Sequence, residues 1–414
     1  MEMLHRNTLL KIGNFPVKIC QWSGLYIFSV DPKLVFSLCS YPVLAFIGKL
    51  LLTIIIGFVF LPNKQKFIGI FGGWGNTEEH INLLTLISSI MSDLLCSINS
   101  FINRKSIPDF HNNLLDSVSE ILTDKKERDD MENVFLSETK AWTSYVNWRA
   151  GLTFSAMVFV YIFVTIVHWN LGKELGISFT TLIFIPPVVL FWLGTTSMKN
   201  IFYFIFVSNL SYFQLGFRML QIKCKVEDQS VKCHATSVSP EKVLWILERH
   251  RELRKLLEQF NSLFQAELIS SLLVTYLQII TTSFSFCNWF SHNALTVRSL
   301  YFAVGFIYSF GIAVLAIYSL CSVASAVMKQ ANACTACLRN IAISTNNMEI
   351  LQEIQMYHLD AVLRPPIVFP GSFFTLNRKL MVQIFSTTVT YVLVVIQFRL
   401  DDRNVDLDVI GKGN

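Results

Sequence analysis

The chain has 414 residues, of which 52% are hydrophobic, 13% aromatic and only 15% charged. Because a soluble globular domain carries about 25% charged residues, this composition excludes a soluble protein and indicates one embedded in a membrane. The net charge of +5 is modest, and the positions of the charges say more than their sum.

The N-terminal segment contains Arg6, Lys11 and Lys18 but no compact apolar stretch followed by a small-residue cleavage site. We therefore expect no cleavable signal peptide. The first long apolar run begins near Leu34, and we interpret it as a membrane span that also acts as a signal anchor.

Seven stretches of the chain reach the length of about 20 apolar residues that a helix needs to cross a bilayer. They are 36–61, 80–102, 151–169, 179–207, 265–287, 300–327 and 376–399. The fourth contains Pro186-Pro187, which should kink it, and a second apolar block, 201–217, overlaps its end and extends beyond it. We interpret this part as one long, bent helix. Two separate spans, which would move the C-terminus to the other side, are the alternative.

Lysine and arginine concentrate in the N-terminal segment and in residues 103–150, 208–264 and 328–375. The positive-inside rule places these segments in the cytoplasm, which leaves the C-terminus outside the cell. This orientation disfavours a G-protein-coupled receptor, whose N-terminus lies outside. No Asp-Arg-Tyr-like triplet follows the third span either.

Three of the cytoplasmic segments have the apolar spacing of helices. They are 110–148, 240–264 with Pro240 as its start signal, and 345–360, which ends near Arg364-Pro365-Pro366. Residues 224–238 have the composition of a flexible loop. The helices either form a packed intracellular base that holds subunits together or are solvated without a partner.

No pattern in the chain is typical of an enzyme. It has no phosphate-binding loop, no dinucleotide-binding glycine pattern and no metal-ligand pair at helical spacing. The nine cysteines are scattered, and the single C-x-x-C pair, Cys334 and Cys337, predicts packing at a helix end rather than metal binding. We therefore expect no catalytic site, no cofactor, no metal and no nucleic-acid partner.

Two charged residues interrupt the predicted spans, Lys49 in the first and Asp93 in the second. From the rise of about 1.5 Å per residue, Lys49 lies roughly 20 Å and Asp93 about 15 Å above the inner ends of their helices. This difference is within the reach of a lysine side chain. Because an isolated charge in a membrane is costly, we predict that the two form a pair, which either packs helices or contacts a ligand.

Polar and aromatic side chains that a small organic ligand needs are predicted in the outer half of the bundle. They are Tyr161, Thr165, His168 and Trp169 on the third span, Thr180, Thr181 and Trp192 on the fourth, Tyr276, Gln278, Thr281 and Thr282 on the fifth, and Tyr301 and Tyr308 on the sixth. Each of them alone is more often ordinary helix packing.

The last span contains Thr390-Tyr391, five apolar residues and Gln397-Phe398, preceded by the run Gly371–Leu380. Both segments resemble the C-terminal signature of insect gustatory receptors. Thr390, Val394, Gln397 and Asp401 follow one another at spacings of four, three and four, so they share one face of a helix. That face can line a pore while the opposite face packs.

The resemblance implies an all-α membrane protein in which four subunits surround one pore formed by the seventh helix, with a tastant bound in each outer bundle. It makes Val394, Gln397 and Phe398 candidates for the pore or gate, and Thr390 and Tyr391 candidates for positioning the helix. The related odorant receptors share this plan. Receptors of the sugar clade commonly have an acidic residue directly after Thr-Tyr, whereas this chain has Val392, so the ligand class stays open.

The resulting organisation has five parts: a cytoplasmic segment 1–35, a six-helix bundle 36–327, a cytoplasmic anchor 328–375, the pore helix 376–399 and an extracellular tail 400–414. Asp401 and Asp402 follow the pore helix, and rings of carboxylates attract cations. We therefore expect a cation channel in the cell membrane of chemosensory neurons, in contact with lipid and independent of G proteins, assembled as a homotetramer or with other gustatory receptors. A receptor subunit that is silent alone and a membrane transporter are the alternatives.

Overall fold

The computed structural model describes residues 9–11, 17–18, 21, 29–30, 34–35, 47, 76–122, 128–174, 185–234, 240–292, 297–344 and 347–411. Two short antiparallel strands precede the helices, β1 (Ser29–Val30) and β2 (Leu34–Val35). The helices, in chain order, are α1 (Asn76–Ile102), α2 (Ser106–Leu122), α3 (Arg128–Glu174), α4 (Ile185–His234), α5 (Pro240–Leu263), α6 (Gln265–His292), α7 (Val297–Ser344), α8 (Met348–Leu363) and α9 (Arg378–Gly411).

Helix α4 is the centre of the bundle and packs against α1, α2, α3, α5 and α7. A helix that is apolar on all sides is buried on all sides, and every residue from 203 to 213 is buried. The apolar block 201–217 is therefore part of the protein core, and it belongs to the same continuous helix, Ile185–His234, as the residues before it. This agrees with the interpretation of the fourth span as one long helix.

Pro186 and Pro187 lie at the beginning of the described part of α4, in the first turn after Ile185. The N–H groups of a first turn have no intrahelical partner, so a proline there removes no hydrogen bond. Residues 179–184 of the predicted span lie outside the described residues, so the predicted kink stays a prediction.

The predicted loop 224–238 is also helical over most of its length, because α4 continues to His234. Cys224 and Glu227 are buried, and Glu227 accepts a hydrogen bond of 2.5 Å from Nζ of Lys242 on α5. The ammonium group of Lys223 lies 4.4 Å from the ring centre of Trp245, also on α5. Packing on α5 thus stabilises a segment whose polar composition predicts a loop.

A cluster of phenylalanines joins α2, α4 and α5, which contain parts of the segments predicted to form the cytoplasmic base. Phe110 of α2 lies 6.1 Å from Phe260 of α5 between ring centres, and Phe213 of α4 lies 6.2 Å from Phe260. Helices α4 and α5 approach closely beside this cluster. A Cβ atom on Gly216 of α4 would lie only 2.9 Å from a methyl carbon of Leu253 on α5. The predicted cytoplasmic helices α2 and α5 therefore pack within the subunit, and their role in holding subunits together stays a prediction.

Three helical stretches of the described residues are long and apolar enough to cross a membrane: Phe135–Phe163 in α3, Gln265–Cys287 in α6 and Gly305–Ala342 in α7. A shorter apolar stretch, Ile87–Ile102, belongs to α1. Most of the predicted first span lies outside the described residues. The predicted short helix 345–360 corresponds to α8, and the last helix continues past the predicted end of the seventh span to Gly411.

Candidate pore helix and ligand-binding bundle

The first turn of α9 is capped by Asn377, whose Oδ1 accepts a hydrogen bond of 3.0 Å from the backbone N–H of Leu380. An asparagine at this position satisfies one of the free N–H groups at a helix start. Its Nδ2 donates to the Thr375 hydroxyl at 2.9 Å, which orients the cap. The end of the run Gly371–Leu380 therefore forms the N-cap of α9, which explains the asparagine at 377 and the threonine at 375.

The start of α9 is attached to the bundle at two places. The backbone N–H of Arg378 donates to Oγ of Ser325 on α7 at 3.1 Å. Upstream, the Asn261 amide on α5 donates to the carbonyl of Ile367 at 2.9 Å and accepts from the N–H of Phe369 at 3.0 Å. The pore helix candidate is thus connected to α5 and α7 through defined hydrogen bonds.

Between these attachments the chain reverses at a turn, Pro370–Ser372, where Gly371 has a φ of 61°. This left-handed conformation favours glycine. A Cβ atom at this position would also lie 2.6 Å from Nε2 of Gln265 on α6. The backbone conformation therefore favours a glycine here, and any larger residue would also displace the flexible end of the Gln265 side chain.

A buried histidine connects α5, α7 and α8 in the base. Nε2 of His250 lies 3.2 Å from the Ala331 carbonyl, which can only accept, so Nε2 carries the hydrogen. Nδ1 then accepts from the hydroxyl of Tyr357. Burial and, to a smaller extent, the nearby Arg254 lower the pKa of His250 to about 4, against the raising effect of the hydrogen bond with the Ala331 carbonyl. The imidazole is therefore neutral and has a defined tautomer at physiological pH.

Helix α8 and the segment after it are bound by Arg254, whose side chain is buried. Its guanidinium donates to the Asp360 carboxylate at 2.9 Å and to the Arg364 carbonyl at 2.6 Å. It also lies 5.5 Å from the ring centre of Tyr357. Burial raises the pKa of Tyr357 to about 12, so the phenol keeps its hydrogen. This cluster connects the end of α8 to α5.

Helix α9 packs against α6 and α7 on one side only. Thr388 and Val392 on that side are buried, whereas two other faces are exposed. One exposed face, which we call the polar stripe, contains Lys379, Gln383, Thr387, Thr390, Val394 and Gln397. The other, which we call the apolar stripe, contains Val382, Val389 and Leu393.

The predicted gate and motif residues have different places on this helix. Thr390, Val394 and Gln397 lie on the polar stripe. Tyr391 is exposed next to the polar stripe, on the flank that faces away from the apolar stripe. The side chains of Phe398, Asp401 and Asp402 lie outside the described residues, although their backbone belongs to α9. Thr390 donates to the carbonyl of Ser386 at 3.1 Å, so its hydroxyl is bonded within the helix.

Some of the predicted ligand-binding residues are brought together by α6 and α7. Nε2 of Gln278 lies 3.5 Å from the carbonyl of Ser309, the neighbour of Tyr308. The hydroxyls of Thr281 and Thr282 are bonded to carbonyls of their own helix, at 2.8 Å and 2.7 Å. Gln278 is therefore a predicted ligand-binding residue of α6 that makes a polar contact with α7.

Among the described residues, the structure does not bring the remaining ligand-binding candidates together. Tyr161, Thr165 and Trp169 are half-buried on α3, and Oγ1 of Thr165 is buried without a hydrogen-bond partner. Tyr276 is half-buried on α6. The side chains of His168, Trp192 and Tyr301, and the whole of Thr180 and Thr181, lie outside the described residues. Lys49 also lies there, as does the side chain of Asp93, so their pairing stays a prediction.

The family model of the seven-transmembrane chemosensory receptors matches residues 15–402. The chain belongs to this family. Two solved structures of the olfactory receptor OR5 from the insect Machilis hrabei, one of them in complex with eugenol, are similar to the receptor. Each has a TM-score of 0.68 at 15% identity and covers 96% of this chain and 100% of the olfactory receptor chain. No curated protein sequence matches the chain.

These similarities confirm the predicted fold. The chemosensory receptor is an all-α, multi-pass membrane protein with the seven-transmembrane architecture of its family. Its family contains receptors, in agreement with the prediction that it is not an enzyme.

The receptor contains a polar interface between α1 and α6 that the sequence analysis missed. Asn99 and Ser100 donate to Oε1 of the fully buried Glu267, at 3.1 Å and 3.3 Å. Oε2 of Glu267 is buried without a hydrogen-bond partner. The signal was present as polar residues at helical spacing along the second span. Glu267, however, lies near the start of the fifth span, where a carboxylate resembles an ordinary helix flank.

Cys334 and Cys337 are both buried on α7, in agreement with the prediction that they pack near a helix end. Cys224 on α4 lies 4.0 Å from Cys334 on α7 between sulfur atoms. The hydrogen bond with Cys334, together with burial, holds the pKa of Cys224 above its usual value. Among the described residues no group of histidine, cysteine and acidic side chains is arranged to hold a metal.

Proposed function

We propose that this chemosensory receptor is a gustatory receptor that acts as a tastant-gated, non-selective cation channel, with a pore lined by α9 of four subunits. The observation that carries the proposal is the division of α9 into a packed side, a polar stripe and an apolar stripe. The signature residues Thr390, Tyr391, Gln397 and Phe398 add the resemblance to gustatory receptors.

A single subunit in lipid would expose the polar stripe to hydrocarbon, where unsatisfied polar groups are costly. Gln383 and Gln397 are exposed on this stripe, and their amides have no means of bonding to lipid tails. In a ring of four subunits the polar stripes face a water-filled pore and the apolar stripes pack on neighbouring subunits. Both faces then have a suitable environment.

The cytoplasmic base supports the same assembly. One side of α8 exposes large apolar side chains, namely Met348, Met356, Leu359, Val362 and Leu363. In the proposed orientation this helix lies outside the membrane, so lipid does not cover the patch, and exposed apolar patches mark interaction sites. A neighbouring subunit is the occupant we propose, because α8 leads directly into the segment that positions α9.

The tastant binds in the outer half of the bundle, between the polar side chains of α3, α6 and α7. Thr165 has a buried hydroxyl without a partner, and Gln278 makes a long contact of 3.5 Å that a ligand can replace. Both groups can hydrogen-bond to a small polar molecule. A ligand shifts the channel toward the open state only if it binds that state better, so we expect these contacts to strengthen on opening.

Val394 forms the closed gate, with Gln397 and Phe398 one turn further out. An apolar constriction blocks ions because it excludes water. The helix connects this gate to the bundle through the Arg378–Ser325 hydrogen bond, so a shift of α7 moves the first turn of α9. Asp401 and Asp402 would form an acidic ring at the outer mouth that favours cations.

The ligand class depends on positions that differ between subfamilies. Val392 is buried against the subunit's own bundle, so the acidic residue that sugar-clade receptors commonly have there would face packed helices. This favours a receptor that does not belong to the sugar clade, such as a fructose-type receptor or a receptor for bitter compounds. The likeness to an olfactory receptor solved with eugenol favours, as the second candidate, an odorant-receptor-like channel or an obligate co-receptor subunit.

Whole-cell recording from cells that express the receptor alone tests the proposal. Sucrose, D-fructose, quinine, caffeine and eugenol are applied in turn, with surface expression measured in the same cells. A cation current with a sugar or bitter compound supports the gustatory function, and a current with eugenol alone supports the odorant-like one. Silence at normal surface expression contradicts a self-sufficient channel, and ligand-dependent flux without single-channel steps indicates a transporter.

The double variant Asp401→Asn/Asp402→Asn tests the acidic ring in the same cells. We expect a smaller single-channel conductance and a reversal potential shifted toward lower cation selectivity. Unchanged conductance and reversal potential would show that these residues belong to a solvated tail.

A further inference from the structure

The polar stripe of α9 begins with a cation. Lys379, Gln383 and Thr387 follow one another at spacings of four and lead to Thr390, Val394 and Gln397 at spacings of three, four and three. Since an α-helix has 3.6 residues per turn, these positions lie on one face, and all six side chains are exposed. Lys379 is the member of the stripe closest to the start of the helix.

The position of Lys379 is defined by the bonds around it. It is the second residue of α9, between Arg378, whose N–H is bonded to Ser325, and Leu380, whose N–H is bonded to Asn377. Among the described residues no ion pair includes Lys379; Arg254 and Asp360, for example, pair with each other. The backbone of Lys379 is therefore fixed, and its charge is not neutralised by these pairs.

The neighbouring Arg378 is exposed as well but lies on a different face of α9. Positions 378, 382 and 389 share a face, so Arg378 lies at the end of the apolar stripe with Val382 and Val389. The two adjacent residues therefore carry the same charge at the same depth, one on the pore face and one on the face toward a neighbouring subunit. They form a matched pair for an experiment.

We infer that the Lys379 side chains of the four subunits form a basic ring at the cytoplasmic mouth of the pore, which makes the cation current inwardly rectifying. The inference rests on the proposed function, because only an assembled pore brings the four side chains together. A positive potential of one kT lowers the local concentration of a monovalent cation about threefold. The ring depletes cations on the cytoplasmic side only, so it reduces outward current more than inward current.

The depletion must depend on salt. The Debye length is about 10 Å at 0.1 M and about 30 Å at 0.01 M ionic strength. The potential of the ring is therefore screened at high salt and extends across the mouth at low salt. A purely structural role of Lys379 in starting the helix would not produce this dependence.

The test compares the full-length wild-type receptor with Lys379→Gln, Lys379→Glu and Arg378→Gln in excised patches. The same potassium solution bathes both sides, at high and at low ionic strength, and sucrose, D-fructose, quinine, caffeine and eugenol serve as the activating panel. We expect Lys379→Gln to raise the ratio of outward to inward current about threefold at low salt. Lys379→Glu should raise it further, and Arg378→Gln should match the wild type.

Each other outcome overturns a defined statement. A current ratio in Lys379→Gln equal to the wild type at both salts, or changed equally at both, contradicts the basic ring and leaves the channel function intact. An equal effect of Arg378→Gln contradicts the assignment of Lys379 to the pore face. A wild-type receptor that reaches the surface and passes no current contradicts the proposed function itself, and with it the ring.

Discussion

Tyr357 of α8 donates its hydroxyl hydrogen to Nδ1 of His250 on α5, while Nε2 of the same imidazole donates to the Ala331 carbonyl of α7. One buried side chain thus joins the three helices α5, α7 and α8. Because both ring nitrogens are used, the contact requires the neutral form and a single tautomer. This makes the base sensitive to changes in either partner.

The variant Tyr357→Phe removes the hydroxyl and leaves Nδ1 of the buried His250 without a donor. An unsatisfied buried polar group costs about 1–3 kcal/mol, so we expect a lower melting temperature of the detergent-solubilised receptor. Tyr318→Phe, at an exposed position on α7, is the control and should melt like the wild type. Equal melting of Tyr357→Phe and the wild type would contradict the role of this hydrogen bond.

The low pKa of His250 predicts a pH-dependent stability. Burial lowers this pKa from 6.5 to about 4, so between these values the unfolded chain binds a proton that the folded receptor does not. Stability therefore falls as the pH decreases from 6.5 toward 4, by at most about 1.4 kcal/mol per pH unit. Melting temperatures of the wild type and His250→Gln, measured at pH 7.5 and at pH 5, check this.

At pH 7.5 His250→Gln should be the less stable protein, because glutamine does not reproduce both hydrogen bonds in the same geometry. At pH 5 the difference should narrow, since the variant has no imidazole to protonate. A difference that is the same at both values would show that His250 does not contribute to the pH dependence.

The turn before α9 predicts a compensating pair of variants. Gly371→Ala places a side chain at a φ of 61° and directs its Cβ toward Nε2 of Gln265. The left-handed conformation alone costs about 1–2 kcal/mol, and the contact adds to it, so we expect reduced stability and surface expression. Gln265→Ala removes the contact but not the backbone strain, so the double variant should recover part of the loss. No recovery would mean that the strain alone is responsible.

The proposed gate predicts a leak when its apolar character is removed. Val394→Thr has nearly the same shape but adds a hydroxyl that can hold water in the constriction. We expect a larger basal current in the absence of ligand at unchanged surface expression. Val389→Thr on the apolar stripe is the matched control, because it introduces the same group away from the pore. A leak in Val389→Thr and none in Val394→Thr would indicate that the apolar stripe, and not the polar stripe, lines the pore.

Several features of the receptor could be predicted because they depend on local sequence. The start of α5 at Pro240 and the end of α8 before Arg364-Pro365-Pro366 follow from the backbone restrictions of proline. The position of Thr390, Val394 and Gln397 on one face follows from helical periodicity. These statements need no knowledge of which helices are neighbours.

Other features were mispredicted because they depend on contacts. Residues 224–234 have a polar composition, and their helix depends on packing against α5, which no local pattern reveals. The partners of Glu267 are about 170 residues distant in the chain, so their hydrogen bonds had no local signature.

The sequence by itself determined that this protein is a helical membrane protein, its family resemblance and the faces of its last helix, since composition and periodicity are properties of the chain. Only the tertiary structure decided which face of α9 packs on its own bundle. It also decided that His250 joins α5, α7 and α8, and that Gly371 lies against Gln265. These relationships arise from the approach of helices remote in sequence, where burial, shape and hydrogen-bond satisfaction are settled together.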